Sequence, residues 1–167
     1  RRPSGFKTFL NAKVYRHHNN KPDSPSFGNV VKAFYNPIMG RVELLLELPV
    51  SLNAKELADI EAGKDVAFSM GCRVSADKCT ICGNTAPTRR EYCHHLKTQL
   101  GHITDDGTIT AMDNLDPQFF DISCVTIPAD KIAYPLMMVK PENYINSDSI
   151  TTKTAGDNSR IYANISL

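Results

Sequence analysis

Phe119-Phe120-Asp121-Ile122-Ser123-Cys124-Val125-Thr126-Ile127, closed by Pro128-Ala129-Asp130, is the stretch on which the fold turns. Aromatic and β-branched residues run almost unbroken, which favours a strand, and the proline that follows cannot carry a ladder onward. An acid inside such a run is costly unless something pairs with it. Asp121 therefore marks either a solvent-facing position or a site.

Working outward, Asp65 to Val74 reads as a second strand, with Ser69 among apolar neighbours and Gly71 two residues on. The small Gly71 is expected to let a substrate backbone come close. Asn29–Tyr35 and Arg41–Leu48 are strand-like on either side of Asn36-Pro37-Ile38-Met39-Gly40, the pattern of a hairpin. Ala12–Tyr15 forms a further strand that arrives at His17-His18 and a polar turn through Ser26. Ser51 to about Ala62 predicts a short helix, with Leu52, Leu57 and Ile60 on one face and Gly63 at the C′ position. Few helical segments among many strands make the chain α+β and mainly β.

Between the Ser69 and Asp121 strands lies a polar, Cys/His-bearing insertion, about 75–107. Cys79-Thr80-Ile81-Cys82-Gly83 is a knuckle in which two thiolates can meet one ion and glycine permits the tight turn. Cys93-His94-His95 follows on a stretch, Arg89 to Leu100, able to form a short helix. Cys79, Cys82, Cys93 and His95 make a tetrahedral set suited to structural zinc, with no open position for water. Cys93 and His95 converge only if Cys93 lies near the helix start, and His94 or Cys72 are the alternative fourth ligands. A redox Cys-x-x-Cys pair is the competing reading, but it lacks a thioredoxin-like βαβ context. Cys124 reads as a plain buried thiol.

At 167 residues the chain fits a single domain over 1–140, with the insertion inside it and a polar extended tail over 141–167. That tail, rich in Asn, Ser, Thr, Asp and Lys, is expected to lie along a partner surface or a neighbouring subunit. A formal net charge of +1 argues against a large nucleic-acid-binding surface. No run of apolar residues approaches a membrane span, and Arg1-Arg2-Pro3-Ser4 is not followed by the apolar region of a signal peptide. Without an initiator Met the chain is expected to be trimmed, processed or part of something longer. Five cysteines, three at ligand spacing, point to a reducing compartment.

Ser69, His18 (with His17 as the alternate base) and Asp121 could supply a nucleophile, a base and an orienting acid. Each also has a plain structural reading, because a triad is defined by geometry and not by sequence position.

In order, three segments resemble the head-maturation (prohead) serine proteases of tailed phages. Val14-Tyr15-Arg16-His17-His18 before Phe27-Gly28-Asn29-Val30 is similar to the family's histidine strand and Gly-x-Val strand. Asp65-Val66-Ala67-Phe68-Ser69-Met70-Gly71-Cys72-Arg73-Val74 is similar to its serine strand, and Phe119–Ala129 to its acid strand. The likeness spans about Thr8 to Ala133; it departs in having the Cys79–His95 insertion, and Asp where Glu is common. The resemblance implies a fold shared distantly with herpesvirus assemblins, a small barrel-like antiparallel sheet flanked by short helices. It implies an endopeptidase with Ser69 as nucleophile, His18 as general base and Asp121 orienting it. Substrates would be scaffold and capsid proteins, and the setting the prohead interior or virion within the host cytoplasm, as an oligomer or part of a larger viral assembly. The alternative within this resemblance is a catalytically inactive virion structural protein that binds neighbouring subunits through its zinc-stabilised insertion and tail.

Overall fold

A computed structural model describes residues 5–139 and 160–166. The first four residues and the bulk of the expected tail, 140–159, lie outside the described residues, as does Leu167. The chain divides into two compact units, one of residues 1–71 with 119–167 and the other Cys72–Gln118.

The first unit is built on a curled, half-barrel sheet. Its strands are β1 (Lys13–Arg16), β2 (Gly28–Asn36), β3 (Arg41–Pro49), β4 (Ala67–Arg73), β8 (Gln118–Val125), β9 (Pro135–Val139) and β10 (Arg160–Ser166). They lie in the order β4-β8-β1-β2-β3-β10-β9. The β2–β3 hairpin is antiparallel, as its loop residues predict. Within this sheet β1 and β8 run parallel, Lys13 beside Asp121 and Arg16 beside Cys124. Parallel neighbours need a long crossover, and here residues 17–117 intervene.

The core lies under one face of this sheet, where Val14, Leu44, Leu46, Leu48, Phe68 and Ile122 pack together with Phe9. Phe9 comes from a 3₁₀ segment, Gly5–Asn11, that sequence reading does not single out; its ring stacks on Phe119 at 3.9 Å. Gly28 is needed at a close approach, because a Cβ there would meet the Glu47 carbonyl oxygen at 2.4 Å.

Helix α1 (Val50–Glu61) buries Leu57, with Ile60 half-buried against the core. Leu52 does not join them: the helix kinks at Asn53, leaving Leu52 47% exposed and Asn53 buried in its place. The Asn53 amide donates to the carbonyls of Phe27 and Pro49, which accounts for its burial. The helix ends in a Schellman turn, Gly63 N–H to Ile60 O and Lys64 N–H to Asp59 O, with Gly63 at φ +71°.

Within the expected tail, residues 160–166 form β10, antiparallel to both β3 and β9. The extended chain thereby satisfies its backbone groups within the protein's own sheet.

The second unit runs Cys72–Gln118, beyond the expected limits of about 75–107. Its three-stranded sheet has the order β6 (Thr85–Ala86), β5 (Ala76–Cys79), β7 (Met112–Leu115). Pairing of β5 with β7 carries the unit to Leu115. Helix α2 (His94–Thr98) is the only α-helix there. Its buried apolar side chains are few and small, Ala76, Cys79, Ala86 and Leu96. So small a core holds a fold poorly without a staple. Among the described residues no helix is long and apolar enough to cross a membrane.

Candidate active site and metal centre

The Cys-x-x-Cys turn is made by the chain itself. Gly83 N–H donates to Cys79 O and Cys79 N–H to Asn84 O, and Gly83 takes φ +71°. The stretch Arg89 to Leu100 holds the short helix α2, set off by a break from a preceding 3₁₀ turn, Arg89–Glu91. The break has a geometric reason: Cys93 sits extended at the N-cap of α2, at φ −67° and ψ 172°, so its sulfur turns towards the knuckle while His95 reaches it from the first turn. The ligand atoms of Cys79, Cys82, Cys93 and His95 all lie within 4.8 Å of one another, with Cys93 Sγ 3.9 Å from His95 Nδ1. Tetrahedral ligands with bonds of about 2.3 Å stand about 3.8 Å apart, so the cluster fits a metal ion with little contraction.

The alternatives separate from it. His94 turns its Nε2 to Thr98 Oγ1 at 3.2 Å, and Cys72 is exposed, with burial and then Asp77 raising its thiol pKa. Backbone amides tune the cluster. Leu96 N–H on the Cys93 sulfur leads the effects that hold its pKa down to about 6. Asn84 N–H acts on Cys82 the same way, but hydrogen bonding with Cys93, desolvation and Cys79 outweigh it, and Cys82 ends raised. Amides aimed at sulfur are what a thiolate–metal site needs. Tyr92 adds a brace, its hydroxyl donating to Asp77.

The sheet site is assembled from adjacent strands. Asp121, on β8, is wholly buried. Its Oδ2 receives His18 Nδ1 at 2.8 Å and Asn20 Nδ2 at 2.5 Å, and its Oδ1 receives the Ser123 hydroxyl at 2.7 Å. That answers why an acid is tolerated inside an apolar strand. His18 reaches it because the chain leaving β1 turns sharply: His17 and His18 both adopt left-handed backbone, φ 50° and 55°. His17 N–H still donates to Cys124 O, continuing the β1–β8 register, and His18 N–H goes to Ser123 Oγ at 3.1 Å. His17 is exposed, and among the described residues it makes no such side-chain bond to Asp121. A carboxylate only accepts, so Nδ1 of His18 carries a proton, and in the neutral ring Nε2 is then the nitrogen with the lone pair. The His18 side chain is 41% exposed.

Ser69 lies on β4, the strand next to β8. A Cβ on Gly71 would sit 3.1 Å from Asp121 Cβ and 3.2 Å from Oδ2, so Gly71 and the carboxylate share a sheet face. Ser69, two residues away, shares it by strand alternation, about 7 Å along. Phe68 and Ile122 point to the opposite, core face. Gly71 thus makes room for the acid. Ser69 is 8% exposed, and among the described residues no hydrogen bond holds its hydroxyl.

Sequence reading missed Asn20 and Ser123. The signal for Ser123 was its i, i+2 spacing from Asp121, which places both on one face of a strand. Cys124 is half-buried and its pKa is raised first by burial, as a packed thiol's would be. No family model, curated protein or solved structure matches the chain.

Proposed function

We propose that the protein is a serine endopeptidase in which Ser69 is the nucleophile, His18 the general base and Asp121 the orienting acid. The observation that carries the reading is the 2.8 Å bond from His18 Nδ1 to a wholly buried carboxylate that shares its sheet face with Ser69. In the reaction Ser69 Oγ attacks the scissile carbonyl and His18 Nε2 takes its proton. Nε2 then gives that proton to the leaving amine as the C–N bond breaks. A water, deprotonated by the same nitrogen, releases the acyl group and restores the serine. Asp121 stays ionised and stabilises the imidazolium.

The sequence likeness to head-maturation proteases supplies the substrate class: capsid and scaffold proteins of a phage prohead, cleaved inside the assembling head in the host cytoplasm. The Cys79, Cys82, Cys93 and His95 cluster takes zinc in this reading, since three thiolates and an imidazole suit that ion and complete its sphere. With no position left for water its role is structural. A second reading, a non-catalytic virion component of the same fold, is favoured by one observation: no hydrogen bond ties Ser69 to His18 among the described residues. Co-expression with the capsid and scaffold proteins separates the two. Wild type is expected to cleave them and Ser69→Ala to leave them whole; identical patterns would reject the protease.

A further inference from the structure

We propose that Ser123 is a positioning residue of this site: its hydroxyl joins the buried carboxylate on β8 to the turn after β1 and thereby sets the tautomer of His18. Ser123 is wholly buried, and its oxygen serves two partners at once. Its proton goes to Asp121 Oδ1 at 2.7 Å, and its lone pair accepts His18 N–H at 3.1 Å, across 105 residues of chain. A hydroxyl has one proton, so donation to the carboxylate leaves the oxygen as the acceptor the amide requires.

The two bonds act on the same histidine from opposite ends. With Oδ1 held by Ser123 and Oδ2 shared by Asn20 and His18, the carboxylate plane cannot swing. Meanwhile the amide bond anchors His18 at φ 55°, a backbone region that side-chain-bearing residues seldom enter. Loss of the hydroxyl frees both the acceptor and the turn. An imidazole on a loosened turn, 41% exposed, then exchanges its bond to Asp121 for water and takes up the mixed tautomers of a solvated ring. Ser123 touches no reacting atom; it acts through Asp121 and His18. The catalytic consequence rests on the endopeptidase reading, whereas the tautomer does not.

The test is nitrogen NMR of the His18 ring in isotope-labelled protein. Wild type is expected to hold the proton on Nδ1, and a folded Ser123→Ala to give a mixture. His18 amide exchange should also speed up about tenfold to a hundredfold in that variant. Ser123→Thr, which keeps the hydroxyl, should restore both. Unchanged tautomer and exchange in folded Ser123→Ala would overturn the proposal. Should that variant not fold, the unaltered protein still decides: a protected His18 amide supports the bond, and exchange at the rate of an open turn overturns it. If Ser69 is inert to a fluorophosphonate while Ser123→Ala shifts the tautomer, the endopeptidase reading falls and the positioning role stands.

Discussion

The metal cluster and the sheet site solve the same problem, gathering polar side chains that cost energy when brought together, by different means. At Cys79, Cys82, Cys93 and His95 the chain supplies turns and amides and brings the donor atoms within 4.8 Å of one another, in a unit with a small core. There a bound ion would supply the cohesion. At Asp121 cohesion comes from the chain's own donors, His18, Asn20 and Ser123, on a sheet with a large core behind it. Removing metal should therefore damage one region and leave the other standing.

The largest effect follows. Chelation, or Cys79→Ser with Cys82→Ser, should unfold residues 72–118, since a structural zinc of the kind proposed would contribute on the order of 10 kcal/mol at neutral pH. Limited proteolysis should then cut within that segment, and elemental analysis should find the metal gone. An intact segment without metal would erase the contrast.

Next comes Asp121→Asn, which keeps the shape but supports the wrong histidine tautomer. It should lower the rate of Ser69 acylation about 10⁴-fold while leaving metal content unchanged. Gly28→Ala sharpens the comparison from the sheet side. Its Cβ would press on backbone at 2.4 Å, so a loss of about 1–3 kcal/mol or more is expected in denaturant unfolding. Gly71→Ala is milder, because Asp121 need give only a few tenths of an ångström; acylation should slow more than stability falls.

The smallest effect belongs to neither region. Asp59, on the exposed surface of α1, is held down to about 2, first by Lys64 and then by Lys55. A carboxyl lowered from 3.8 when folded stabilises above that value and loses its contribution as pH falls through about 2. Asp59→Asn should barely move Tm at neutral pH, and acid unfolding near pH 3 should change little.

The two regions also differed in how far they could be read from sequence. Ligand spacing is local, so Cys79-x-x-Cys82 and Cys93-x-His95 announced the cluster. Even the need for Cys93 to begin a helix followed from side-chain directions. The sheet site is non-local: His18 and Asp121 lie 103 residues apart. An apolar strand interrupted by Asp121 showed that a partner was required, but not which. Asn20 escaped because a turn asparagine looks like any turn former. The left-handed backbone of His17 and His18 has no sequence mark, since neither is glycine. The β10 strand was hidden differently: Ile161, Ala163 and Ile165 do alternate with Tyr162 and Asn164, but the polar residues before them set the tone of the segment.

The most direct test of the central claim is intact-mass measurement after exposure to a fluorophosphonate. The account predicts a single adduct on Ser69 in wild type, lost in Ser69→Ala and slowed by orders of magnitude in His18→Ala. A chain that takes no adduct, or takes one unchanged in Ser69→Ala, would contradict it.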